Sequence, residues 1–204
     1  ASIDGSAALI RSQFPEVKLL PQPVNLGFAG GVNVGMAAAS GEVFVLLNQD
    51  CLVAPGWLDG LHATLREQAN CGIVGAVLED ANGAINHAGA FITRPLGYGR
   101  HRTETPTNDI AVDYVTGALF AIRRATWETI GGMDEEFYPA YYEESDYYYR
   151  ARRRGLETYL SVRTRGRHLF SSREWLREPI RHTTNQHQSR YRFICKQFSE
   201  AELI

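Results

Sequence analysis

"VFVLLNQDCLVAPGWL", residues 43–58, decides how the chain is read. Residues 43–47 form an unbroken apolar run of strand length, the pattern of a strand buried on both faces. The run breaks at Asn48-Gln49-Asp50, resumes as Cys51-Leu52-Val53, and ends at a Pro55-Gly56 turn. In open α/β sheets, ligands gather beyond the carboxyl ends of strands. The polar triplet therefore places Asp50 where a buried strand meets the ligand edge. A carboxylate there suits Mg²⁺ or Mn²⁺, which take oxygen from one or two carboxylates and from substrate phosphates. A simple Asx-type turn after a strand accounts for the same three residues.

Outward from this stretch, short apolar runs alternate with helical patterns. On the N-terminal side the spacing predicts a helix over 6–14, a strand over 17–20, and a small-residue helix over 28–40 stopped by Gly41. On the C-terminal side it predicts an amphipathic helix over 57–68 and a strand over 73–78. Such alternation argues for an α/β domain with a mostly parallel sheet. Residues 82–108 loosen into a hairpin and loop. A strand over 114–122, a helix over 124–130, a helix over 144–154 closed by Gly155, and a last strand over 158–162 follow. Residues 174–198 are polar, basic and aromatic, and read as one or two packed helices.

The totals agree with a globular domain. Of 204 residues, 44% are hydrophobic and 22% charged, which excludes disordered and fibrous classes. A formal charge of -2 gives no general attraction to nucleic acid. No apolar run approaches the roughly 18 residues needed to span a bilayer. Cys51, Cys71 and Cys195 lack metal-like spacing and fit a reducing, cytoplasmic setting.

Three further stretches carry potential chemistry. "NLGFAGGVNVG", residues 25–35, is a glycine-rich turn entering a helix, able to offer backbone N–H groups to phosphate. It lacks the G-x-G-x-x-G spacing of dinucleotide sites and the Gly-Lys-Ser/Thr of a P-loop, and close helix–sheet packing explains it equally well. "YYEESDYYYRARRRG", residues 141–155, would place Glu143 with Tyr147, and Asp146 with Arg150, on shared helix faces. Its charge order complements a helix dipole, but that leaves the crowding of tyrosines unexplained. Aromatic walls dry a carboxylate and raise its pKa, as a general base requires, and they offer flat surfaces to a sugar ring. "RGRHLFSS", residues 165–172, sets His168 just after the last strand, where a neutral imidazole is a reasonable metal partner.

Taken in this order, the stretches resemble the inverting nucleotide-sugar glycosyltransferases of the GT-A fold, in particular bacterial rhamnosyltransferase-like members. The likeness runs through "NLGFAGGVNVGMAAASGEVFVLLNQD", "VTGALFAIRRATWETIGGMDEEF", "YYEESDYYYRARRRG" and "RGRHLFSS", over about 1–172. No single motif is specific; the ordered set is.

The resemblance implies a three-layer αβα fold, with 1–172 as the transferase domain and 173–204 as a helical extension. It implies that Asp50, with Asn48 and Gln49, marks the metal-binding motif of the donor site, and that His168 completes the Mn²⁺ or Mg²⁺ site. Asp4, Asn25, Gly27, Phe28 and Asn33 fall on the donor side, and Thr116, Gly117, Asp134 and Tyr142 on the acceptor side. Glu143-Glu144 matches the pair whose second member deprotonates the acceptor hydroxyl, making Glu144 the base, with Asp146 as alternative.

The implied partners are a UDP- or dTDP-linked sugar and a glycan or lipid-linked acceptor for cell-surface polysaccharide. The implied location is cytoplasmic, with peripheral membrane contact and a homodimer as further expectations. Departures from the pattern are Asn at 48 and Glu at 144, where Asp is usual. "ASIDGSAALI" also resembles a family segment entered midway, so the first β-α-β elements are expected to be missing. A binding or scaffold domain without catalysis is the competing reading; a Rossmann oxidoreductase lacks its fingerprint.

Overall fold

The computed structural model describes residues 2, 4–169 and 177–203. Helix α1 (Ser6–Gln13) buries no residue, and Asp4 holds its start by accepting from the backbone and hydroxyl of Ser6. Next come α2 (Gly27–Ala38), β1 (Val43–Leu47), β2 (Cys51–Val53) and α3 (Trp57–Glu67). Strands β3 (Cys71–Glu79), β4 (Ile85–His87), β5 (Ala90–Ile92), β6 (Gly99–His101) and β7 (Ile110–Val112) follow, then β8 (Leu119–Arg123) and α4 (Arg124–Ile130). A 3₁₀ turn (Glu135–Phe137) leads to α5 (Glu143–Arg152), β9 (Glu157–His168) and α6 (Pro179–Gln197).

The main sheet has the order β1-β8-β3-β9-β2, with β4 added to β3 and β7 to β9; β5 and β6 form a separate hairpin. The parallel alternation read from the sequence is realised between β3 and β9, while β1–β8, β8–β3 and β9–β2 pair antiparallel, so the sheet is mixed.

Strand periodicity divides the core. Along β3 and β8, Ile73, Val77, Phe120 and Ile122 face one layer with Met36 of α2, Tyr148 of α5 and Phe193 of α6. Val74, Ala76, Leu78, Leu119 and Ala121 face the other, against Leu61 and Leu65 of α3. Each fully buried Leu, Ile or Phe contributes about 1.5–3 kcal/mol from burial. Helices thus cover both faces of the sheet in three layers.

Three boundaries differ from expectation. Residues 17–20 form no strand, and Val17 is exposed: apolar propensity makes a strand only where a neighbour pairs with it. The strand expected over 114–122 begins at Leu119, because Tyr114 makes a single bridge to Ala90 and the chain then turns at Thr116-Gly117. Strand β9 continues well past 162; its register slips against β3 between Ala76 and Val77, and it then pairs with β2, carrying His168 opposite Cys51. His168 therefore ends the strand instead of following it. At the other side of the sheet β1 is the outer strand, with Val45 and Leu47 exposed beside a cleft of about 280 Å³ against α2. No helix among the described residues is long and apolar enough to cross a membrane.

Candidate active site

A cavity of about 470 Å³ opens at the carboxyl end of β9, between α5, α6 and the β5–β6 hairpin. One wall comes from the sheet edge. Leu169 donates to the Asp50 carbonyl at 2.8 Å, which closes the β2–β9 pairing and sets the two side chains together. His168 Nε2, which lines the cavity, lies 3.3 Å from Asp50 Oδ1. That oxygen is buried and accepts no hydrogen bond. An orphaned carboxylate oxygen beside an imidazole nitrogen fits a divalent cation. Among the described residues no three acidic, histidine or cysteine side chains converge on such an ion; a pair leaves most positions around a divalent cation to other oxygens, such as those of phosphate and water.

The second wall is the start of α5. Tyr141 and Tyr142 adopt φ of 84° and 68°, a left-handed pair that costs bulky residues strain and directs the next residues inward. Glu144 and Ser145 line the cavity. The Glu144 carboxylate lies near its own N–H and that of Gly117, while Oε2 is shielded and unpartnered. Burial pushes its pKa up, and these N–H groups oppose the rise. Glu143 is 3% exposed, and its pKa is raised first by burial and then by repulsion from Glu144. The pair cannot comfortably hold two charges. The tyrosines drying it include Tyr148, fully enclosed, and Tyr114, whose hydroxyl is also raised by burial and by Glu144.

Asp146, the alternative base, lies elsewhere. It is 0% exposed and is bonded to Arg150 at 2.9 Å, Lys196 at 2.9 Å and Gln197. Arg150 in turn donates to the carbonyls of Ile130 and Gly132. These contacts occupy the carboxylate and keep it off the cavity wall, so its role is to join α5, α6 and the preceding loop.

The floor holds residues the sequence reading did not single out. Thr116 N–H donates to His87 Nε2 at 3.3 Å, and His87 Nδ1 lies 3.1 Å from His101 Nδ1. An accepting Nε2 leaves the His87 proton on Nδ1, pointed at His101. Burial, then His101, lowers the His87 pKa to about 3, so it stays neutral. His87 thereby pins the backbone at Thr116, just before the Gly117 N–H that neighbours Glu144. Gly117 lies close under Phe28: a Cβ there would sit 3.0 Å from the ring, which would have to shift to admit it. The third wall joins Tyr98 and Gly99 of the hairpin to Gln186, His187 and Arg190 of α6. Residues 82–108 carry no motif, and α6 reads as a packed helix, so neither announces these contributions.

Most of the other expected residues support the site without lining it; Thr116 and Tyr142 are the two that line it. Asn25 Oδ1 accepts from Gly27 N–H, whose φ of 71° starts α2 against the Pro139 carbonyl. Phe28 donates its N–H to that carbonyl. Asn33 clamps Met133 through both backbone groups and donates to Glu135. Asp134 caps the 3₁₀ turn and pairs with Lys196 at 2.6 Å. Asn48 N–H bonds Ala118, Gln49 is exposed, and Asp4 stays at the exposed start of α1.

A sheet flanked by helices on both faces in three layers matches the GT-A fold of solved structures. The chain superposes on GalNAc-T7 with UDP, GalNAc and Mn²⁺ at a TM-score of 0.67 and 18% identity, covering 82% of this chain and 35% of that one. It superposes on the mannosyltransferase PcManGT from Pyrobaculum calidifontis, in complex with GDP-Man and Mn²⁺, at 0.62 and 15% identity, covering 94% and 52%. It thus spans between a third and about half of these structures. Residues 1–131 match glycosyl transferase family 2, and the chain belongs to that family. It is also 25% identical to the N-acetylglucosaminyl-diphospho-decaprenol L-rhamnosyltransferase of Mycobacterium tuberculosis, over 97% of this chain and 73% of that one.

Proposed function

We propose that the chain transfers a sugar, with inversion, from a nucleoside-diphosphate donor to a hydroxyl of a glycan or lipid-linked acceptor in cell-surface polysaccharide synthesis. The observation that carries this reading is one cavity lined both by Glu144, whose carboxylate has an unpartnered oxygen, and by His168 of the Asp50–His168 pair.

Asp50 and His168 would hold a divalent Mn²⁺ or Mg²⁺, which when bound neutralises charge on the departing diphosphate. Glu144 accepts the proton of the incoming hydroxyl. Its raised pKa strengthens it as a base, while the nearby Gly117 N–H favours its charged form. Tyr114, Tyr141 and Tyr142 exclude water and present ring faces to a sugar. Loss of the base is expected to cost about 10²–10⁴-fold, the remainder of the acceleration coming from positioning.

The test is calorimetric titration of UDP and dTDP with and without Mn²⁺, on the chain and on Asp50→Ala. Metal-dependent binding that Asp50→Ala abolishes supports the reading. Binding indifferent to metal and to Asp50 overturns the donor-site assignment.

A further inference from the structure

Arg190 lines the same cavity, from α6, and has no acidic counter-ion among the described residues. Its guanidinium lies over the Tyr98 ring at 3.8 Å, and Nη2 donates to His187 Nδ1 at 3.2 Å. Nε and Nη1 are buried and bond nothing among the described residues. A cation taken out of water without an anion is costly, and a guanidinium with unused donors suits an anion.

The placement is rigid. Tyr142 hydroxyl donates to the Gly97 carbonyl at 2.8 Å, which fixes the hairpin carrying Tyr98. Ser189 hydroxyl donates to the Ala140 carbonyl, tying the α6 turn to the segment that delivers Glu144. Arg190 thus stands on the wall made by the hairpin and α6, whereas Asp50 and His168 stand on the sheet edge. The donor diphosphate belongs with the latter pair. The anion facing Arg190 belongs to the other substrate, whose sugar ring has Tyr98 and Tyr142 as flat neighbours.

We propose that Arg190 anchors a phosphate ester carried by the acceptor, so that the site takes a sugar phosphate in preference to the same sugar uncharged. This rests on the transferase reading for the word acceptor, but the anion site has its own readout.

N-acetylglucosamine and N-acetylglucosamine 1-phosphate are titrated into the full chain with Mn²⁺ and excess UDP or dTDP. The same titration is run on Arg190→Gln and Arg190→Lys, with urea unfolding curves as the check on folding. The phosphate is expected to tighten binding at least about ten-fold in the parent chain. Arg190→Gln should erase that difference and Arg190→Lys should retain part of it. Equal affinity for the two sugars, or a preference that survives Arg190→Gln, overturns the proposal. Weakened nucleotide binding in Arg190→Gln with the sugar preference intact also overturns it, and assigns the guanidinium to the donor diphosphate. A phosphate preference lost with Arg190 in a chain that binds no nucleotide leaves the anion site standing and removes the transferase reading instead.

Discussion

Glu143 and Glu144 are adjacent in sequence and differ in use. Glu144 reaches the cavity; Glu143 is enclosed beside it with an unpartnered oxygen. Both carboxyls hold protons more tightly folded than unfolded, because burial disfavours their charges. Stability from this pair is therefore complete below the ordinary carboxylate range near 4.5 and falls as pH rises toward the elevated folded values. Replacing Glu143 by Gln should raise the urea midpoint at pH 8 and leave it nearly unchanged at pH 4. Glu144→Gln should lower transfer by about 10²–10⁴-fold while leaving metal-dependent nucleotide affinity within a few-fold; kinetics and calorimetry on one preparation check both. The places of Asp50 and His168 could be read from the sequence because each stands at the end of an apolar strand pattern, whereas Glu144 was singled out from its neighbour only by the family resemblance. His87 and Arg190 were not, since a buried histidine and a helix arginine are ordinary residues until the fold turns them toward a shared space.

Among the elements, α6 is joined to α5 by more than apolar contact. Lys196 reaches Asp134 and Asp146 at 2.6 and 2.9 Å, Gln197 bonds Asp146, and Phe193 packs between Tyr142 and Tyr149. Asp146 is enclosed, so removing one cation leaves a partly uncompensated buried charge. Lys196→Met should cost about 1–3 kcal/mol of unfolding free energy, and combining it with Asp146→Asn should cost less than the sum of the two, read by chemical denaturation. Helix periodicity and caps made α2 through α5 visible in the sequence to within a few residues. The element at 17–20 failed because strand character depends on a neighbour that local pattern does not report. The long reach of β9 was hidden for the same reason: polar residues at 163–167 continue the strand only because β2 and β3 pair with them.

At the scale of the molecule, the α/β class and GT-A arrangement could be read from alternation and motif order, whereas the mixed strand directions depend on long-range pairing. The cavity depends on that pairing as well. Its lining spans residues 86 to 190, drawn from the sheet edge, the hairpin, the turn at Thr116, the start of α5 and the middle of α6. No single element or short segment of the chain could assemble it. Occupancy and global folding must therefore be linked: a ligand that needs every wall is bound only by the fully native state. At a concentration one hundred times its dissociation constant such a ligand adds about 2.7 kcal/mol, which for a domain of this size raises the melting temperature by about 5–10 °C. Melting curves across a panel of nucleotides and sugar phosphates can thus rank candidate substrates before any product is detected, with the chain's own cooperativity as the reporter.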